Sequence, residues 1–187
     1  MWLETNRLII RSIQRGDEII FSGMAQDGSL SQVGFDANCS EWINDWIEEA
    51  LKLTNNDNPR ENYIPCTVIL KETEEVIGSV GSTYYEDVDK VGICYFIGTP
   101  FRKKGYMTEA ILSTMEYVFN NLDIDNIVYG YAEENFKSKG LSNKIGFNFY
   151  YDYIEHYIRI NKDIREIKTI MSKEKFKKLY DSTSKRK

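Results

Sequence analysis

The chain has 187 residues, 42% of them apolar, 13% aromatic and 28% charged, the balance of one ordinary globular domain spanning 1–187. Its 24 basic and 29 acidic residues leave a net charge of −5, the wrong sign for non-specific nucleic-acid binding. No apolar run approaches the roughly 18 residues that a spanning helix needs, and MWLETNRLII lacks a basic region followed by a small-residue cleavage site. A cytoplasmic protein is expected, a monomer or homodimer with neither membrane nor nucleic acid as partner.

In chain order, Leu8–Ile13 reads as a first strand, and Asp17 stands where the N-cap of a helix carrying Ile19, Ile20 and Phe21 is expected. Ser40 precedes Trp42, Ile43, Trp46, Ile47, Ala50 and Leu51, a helical stripe closed by the polar run Asn55–Pro59. Strands follow at Tyr63–Leu70, Val76–Tyr84 and Val91–Ile97, the first two joined by a turn at Lys71–Glu75. Then the period changes. Met107, Ala110, Ile111, Thr114, Met115, Val118 and Phe119 form one face of a long helix. Ile127–Ala132 is a strand, and Phe136–Ile145 a short helix ended by Gly146. Phe147–Ile160 and Arg165–Met171 are strands, and Phe176, Leu179 and Tyr180 suggest a last helical turn or two. This order predicts an α/β or α+β mixed sheet.

Cys39, Cys66 and Cys94 form no C-x-x-C pair, and their odd count fits reduced thiols. Cys66 and Cys94 lie in apolar stretches, where buried, inert thiols are expected. His156, the single histidine, is flanked by aromatic residues in a strand-like run, which favours a structural role. No metal-ligating set clusters around it. Gly78-Ser79-Val80-Gly81 has the spacing of an RNA-binding G-x-x-G but no basic helix behind it, so these read as sheet or bulge glycines. Two basic clusters run against the overall charge, Arg102–Lys104 and Lys185–Lys187, and the second reads as a solvated end.

The first basic cluster sits at the most informative junction, Ile97-Gly98-Thr99-Pro100-Phe101-Arg102-Lys103-Lys104-Gly105-Tyr106-Met107, between a strand and the long helix. A helix start exposes unpaired N–H groups and the positive end of the dipole. A glycine that permits close backbone approach and three cations make it an anion cradle suited to a diphosphate. A merely solvated basic loop is the alternative. The spacing is neither G-x-x-x-x-G-K-[ST] nor G-x-G-x-x-G, which disfavours a nucleoside triphosphatase or a dinucleotide site.

Arg102-Lys103-Lys104-Gly105-Tyr106-Met107 resembles the R/Q-x-x-G-x-G/A acetyl-CoA motif of GNAT-superfamily N-acetyltransferases. Thr108-Glu109-Ala110 continues it in the manner of the RimJ/RimL-like subgroup, which acetylates ribosomal-protein N-termini. Leu3–Arg11 resembles that subgroup's opening strand, and Asn135-x-x-Ser138-x-x-Leu141-x-x-Lys144-x-Gly146-Phe147 its second motif. Met171–Phe176 resembles its closing segment. The resemblance implies the GNAT fold, a central, mostly antiparallel sheet with a splayed strand pair and flanking helices. It implies acetyl-CoA (coenzyme A) as co-substrate, with no metal. The reaction implied is transfer of the acetyl group by direct attack of a primary amine, whether a protein N-terminus or a small-molecule amine. A non-catalytic CoA-binding or regulatory module on the same fold is the alternative.

Residue by residue, the resemblance assigns the CoA diphosphate to the amides of Arg102, Lys103, Lys104, Gly105, Tyr106 and Met107, with Arg102 and Lys103 adding charge. It gives Phe96 and Ile97 to the pantetheine arm, and an amide of their strand to polarising the thioester carbonyl. Asn135 falls to the pantetheine amide, a role compatible with an ordinary N-cap. Ser138 stands where some members protonate the departing thiolate or hydrogen-bond the sulfur. Ser142 stands where many others carry an acid tyrosine, or is simply the polar face of a short helix. Gly92 takes the place of a strand glutamate found in many relatives. That leaves Glu86, Asp87 or Asp89, or bulk water, to accept the amine's proton. The loop Tyr84–Asp89 and the run Phe149–Tyr153 either line an acceptor cleft favouring a cationic amine or are an ordinary hairpin loop and aromatic strand.

Overall fold

The computed structural model describes residues 1–31, 34–56, 58–60, 63–157 and 161–184. The basic tail Lys185–Lys187, Asp57 and the last residues of the expected strand ending at Ile160 lie outside them. The strands are β1 (Trp2–Glu4), β2 (Leu8–Ser12), β3 (Ile64–Leu70), β4 (Val76–Tyr85), β5 (Lys90–Ile97), β6 (Asn126–Ala132), β7 (Asn148–Tyr157) and β8 (Lys162–Ser172). The helices are α1 (Asp17–Ala25), α2 (Ile43–Asn56), α3 (Tyr106–Asn121), α4 (Phe136–Ile145) and α5 (Lys173–Ser184). This is the mixed α/β architecture expected, with mostly antiparallel strands. The chain divides into two compact units, Met1–Tyr84 with Cys94–Thr114 and Tyr85–Ile93 with Met115–Lys187. No helix among the described residues is long and apolar enough to cross a membrane.

In the first unit, antiparallel ladders join β1 to β2, β2 to β3 and β3 to β4. Leu8 and Ile10 alternate into the interior of β2, both fully buried. The stripe read on α2 packs with α1: Phe21, Ala25, Ile43, Ile47 and Ala50 share one core with Phe35 and Phe96. Phe35 centres its ring 4.7 Å from Phe96 and 5.2 Å from Trp46. Burial of each such side chain contributes about 1.5–3 kcal/mol. Gly78 and Gly81 are sheet glycines. A Cβ would stand 2.3 Å from the Phe96 carbonyl oxygen at Gly78 and 2.2 Å from that of Ile64 at Gly81.

Asp17 departs from its expected role. The N-cap of α1 is Gly16, in the left-handed region at φ 100, and no side chain caps the helix. Asp17 is instead the first helical residue, and its buried carboxylate accepts both Arg11 guanidinium nitrogens at 2.7 and 2.8 Å. The Thr67 hydroxyl at 2.6 Å and the Gln14 amide at 2.9 Å complete its shell. Burial pushes this carboxyl up, but those four donors together hold it below the usual aspartate range. The ion pair to Arg11 of β2 takes the place of a cap and satisfies a half-buried guanidinium as well.

In the second unit β8 lies between β6 and β7, antiparallel to both, and β5 joins β6 in parallel where Gly92 faces Val128. α4 has the bounds read from sequence. Gly146 ends it at φ 95, its N–H reaching the Ser142 and Asn143 carbonyls at 3.0 and 3.1 Å. α5 runs longer than the expected turn or two because its apolar face is used: Phe176 packs 5.3 Å from Phe119, and Tyr180 donates to the Ile145 carbonyl at 2.7 Å. Register pairs share a face of the sheet. One face therefore carries Gly92, Val128, Gly130, Glu166, Lys168, Tyr151 and Tyr153, while Tyr129 and Thr169 face α4 and Phe147. Cys39 and Cys66 are buried thiols, as expected for Cys66, whereas Cys94 is half-buried, and burial pushes its thiol up to about 11. His156 is exposed on β7, its Nδ1 2.7 Å from the Asp163 carboxylate.

Candidate functional site

The segment read from the sequence as an anion cradle forms the start of α3. Gly98 leaves β5, Thr99–Phe101 make a single 3-10 turn, and Arg102 is extended. Lys103 and Gly105 then take positive φ, 62 and 82, so Gly105 is there for its backbone. The first bond of helical type is from the Glu109 amide to the Gly105 carbonyl at 3.1 Å, and the Arg102 amide, expected among the ligand donors, is instead bonded to the Thr99 carbonyl at 3.3 Å, so the helix-start donors are the amides between these two. Lys103 and Lys104 are exposed beside them. A Cβ at Gly105 would meet only Arg7 Nη2, at 3.4 Å. A row of amides, two ammonium groups and open space over a glycine fit a diphosphate.

Arg102 does something other than expected. Its Nε donates to the Ile97 carbonyl and its Nη2 to the Ser29 carbonyl, both at 3.2 Å, so its charge braces the loop from behind. Thr99 ties the same loop to Asp27 at 2.8 Å, and hydrogen bonds from Ser29 and Thr99 hold that carboxyl down to about 2. From the other side Arg7 pairs with Glu109 at 2.6 Å, donates to the Lys104 carbonyl at 3.0 Å and covers the Tyr106 ring at 4.6 Å. Burial raises the Glu109 carboxyl, but hydrogen bonds from Thr5 and Arg7 bring it below the ordinary range. Phe96 and Met107 bury their side chains, so only their backbones can face a ligand. Sequence reasoning quoted Arg7 and Glu109 in separate segments but missed their pairing, because nothing local joins residues so far apart.

In the second unit the Asn135 side chain caps α4, accepting from the Ser138 amide at 3.1 Å. Its Nδ2 keeps donor capacity for a ligand carbonyl. Ser138 is half-buried in the first turn. Ser142 is 1% exposed, and its hydroxyl is committed to Thr169 at 3.0 Å, which in turn donates to the Tyr129 carbonyl at 3.0 Å. It is a member of a buried chain.

Glu86 and Asp87 are exposed in the 3-10 turn Glu86–Val88, and Asp89 follows at φ 51. The structure brings this loop and the aromatic strand together: the Tyr151 hydroxyl donates to Asp87, and Tyr151 stacks on Tyr153 at 5.8 Å. Burial, then neighbouring carboxylates, push the Tyr151, Tyr153 and Tyr157 phenols well above their ordinary value. The Tyr85 ring lies where side chains at two glycines would be, 2.2 Å from a Cβ built on Gly92, with its oxygen 2.9 Å from one built on Gly130. Lys168 sits over the same ring, Nζ 3.9 Å from its centroid. Tyr85 belongs to the loop read as a candidate acceptor cleft, whereas nothing in the sequence marks Lys168. Alternation along β8 assigns Lys168 to a face, but what covers that face is tertiary.

Residues 7–148 match the acetyltransferase (GNAT) domain family. An uncharacterized N-acetyltransferase, YnaD, of Bacillus subtilis is 26% identical over 148 residues, which is 78% of this chain and 82% of that protein. Among solved structures, a GNAT-family acetyltransferase from Bacillus anthracis superposes with TM-score 0.77 at 18% identity, covering 93% of this chain and 99% of the other. RimL, a ribosomal L7/L12 alpha-N-protein acetyltransferase solved in complex with coenzyme A, gives TM-score 0.78 at 12% identity, covering 94% and 99%. A match over so much of the chain, on the fold described, makes this protein a member of the GNAT acetyltransferases, in the family of the RimJ/RimL type.

Proposed function

We propose that this N-acetyltransferase moves the acetyl group of acetyl-CoA to a cationic primary amine, which attacks the thioester directly. The observation that carries the cofactor half is the start of α3, where left-handed Gly105, free helix amides and the exposed Lys103 and Lys104 suit a diphosphate. Bound there, acetyl-CoA supplies the activated acetyl group. Arg7, Arg102 and Glu109 hold the loop in shape. Asn135 and Ser138 are assigned to the co-substrate by family resemblance, with Ser138 near the sulfur. The acceptor half rests on the face where Asp87, Glu155 and Glu166 lie among tyrosines, a surface that attracts an ammonium by charge and by ring faces.

The test is release of free thiol from acetyl-CoA with serine- and alanine-initiated peptides, polyamines and aminoglycosides. Transfer to cationic amines is expected, and a clear preference for neutral or anionic acceptors would refute the acceptor class. For the cofactor, Gly105→Val is expected to weaken acetyl-CoA binding severalfold or more in calorimetry. Unchanged affinity in a folded Gly105→Val protein would remove the diphosphate assignment.

A further inference from the structure

Lys168 is 5% exposed, yet its Nζ has no hydrogen-bond or ion-pair partner among the described residues. What it touches are rings: Tyr85 at 3.9 Å and Tyr153 at 5.5 Å from their centroids. The carboxylates within electrostatic reach are all engaged by phenols. Glu166, on the same face of β8, accepts Tyr157 at 2.7 Å. Glu155 accepts Tyr153 at 3.2 Å, and Asp87 accepts Tyr151. Lysines kept for packing alone extend their heads to water or pair with an acid. This one does neither.

We propose that Lys168 Nζ, seated over Gly130 against the Tyr85 ring, takes the proton that an acceptor ammonium must lose before it attacks a thioester. The proposal rests on reading the chain as an amine acetyltransferase. Both the Tyr85 oxygen and Nζ lie over Gly130, 2.9 and 3.0 Å from where its Cβ would be, so the missing side chain at Gly130 makes room for the pair. The groups facing Nζ are Tyr85 of β4, Asp87 of the following turn, Tyr151, Tyr153 and Glu155 of β7, and Glu166 beside it on β8. Burial favours the neutral amine, and the three carboxylates oppose it less strongly.

The proton balance closes. An N–H bond of the ammonium breaks and one forms at Nζ, giving a free amine and a protonated Lys168. The amine then forms the C–N bond as the C–S bond breaks. A second proton passes from the nitrogen to the departing sulfur, and the one on Nζ returns to water. While Nζ is charged, the Tyr85 and Tyr153 faces and the three carboxylates offset its burial. The same field draws a cationic acceptor in.

The experiment compares wild type, Lys168→Met and Lys168→Arg with spermidine, a serine-initiated peptide and kanamycin, from about pH 6 to about pH 10. Acetyl-CoA binding is followed by calorimetry, and lysine titration by NMR of the wild-type protein. Both variants are expected to keep acetyl-CoA affinity and to lose about 100-fold or more in kcat near neutrality. The deficit narrows as pH approaches the acceptor's own pKa, and Arg gives no rescue because a guanidinium keeps its proton. A deficit independent of pH, rescue by Arg, or a Lys168 signal titrating in the ordinary lysine range would overturn the proposal. Wild type that binds acetyl-CoA but transfers to none of the three amines would overturn the acetyltransferase reading beneath it.

Discussion

Two buried charged side chains, one in each unit, meet opposite treatment. Asp17 is surrounded by donors: a two-pronged guanidinium, a hydroxyl and an amide, with both partners of the ion pair nearly out of water. Lys168 is as deeply placed, but its Nζ rests on ring faces and the carboxylates near it are engaged by phenols. A charge whose hydrogen bonds are complete fixes the place of α1 on β2. A cation left without an acid holds a proton loosely, and a loosely held proton is useful in chemistry.

The sharpest way to break this contrast is to remove each charge in turn. Asp17→Ala strands the Arg11 guanidinium and is expected to cost about 3–5 kcal/mol, read as a lower denaturant midpoint. The sign with pH follows from the depressed carboxyl: its stabilisation is complete above roughly pH 4 and is lost as pH falls through the lower folded pKa. Asp17→Asn should flatten that acid limb. Gly92→Ala comes next. Its methyl would collide with the Tyr85 ring, and expelling the ring should cost about 1–3 kcal/mol and lower kcat, whereas an unaltered protein would show that the ring is not wedged there. A neutral polar contact gives the scale between: Asn135→Ala loses the α4 cap, about 1 kcal/mol, checked by thermal melting.

The smallest effect is the most telling. Lys168→Met exchanges an unpaired cation for an apolar chain among tyrosines, so stability should change by zero to about 1 kcal/mol in favour of the variant. With its folded pKa below the unfolded one, Lys168 binds fewer protons in the native state, and wild-type stability rises with pH through that window. The advantage of Lys168→Met is therefore greatest on the acid side and gone above about pH 10.4. A destabilised Lys168→Met at neutral pH would make Lys168 a structural residue like Asp17.

Much of this was legible in the sequence, for reasons that differ by element. The α3 stripe and the bounds of α4 follow from a 3.6 period and a terminating glycine, both local signals. β1 is three residues long, too short to show alternation, and α5 owes its length to Phe119 and Ile145, which only the fold supplies. The basic loop before α3 stands out in the sequence because its glycine and cations are contiguous. The inward turn of Arg102 does not, since its acceptor on Ser29 comes from a distant segment. Lys168 lies between Ile167 and Thr169 with no motif around it, and its isolation depends on phenols from β7 engaging the acids first.

The ties from Thr99 to Asp27 and from Arg102 to Ser29 make the turn after α1 a remote gauge of the α3 loop. The Ser29 amide donates to Asp27 at 2.8 Å, so its exchange with solvent deuterium depends on how often that turn opens. On the proposed binding of coenzyme A to the amides of the α3 loop, such openings become rarer in proportion to its occupancy. Deuterium uptake at Ser29 would then fall as coenzyme A is added, reporting saturation without any acceptor or turnover. Uptake there that ignores saturating coenzyme A would show the two segments to open independently.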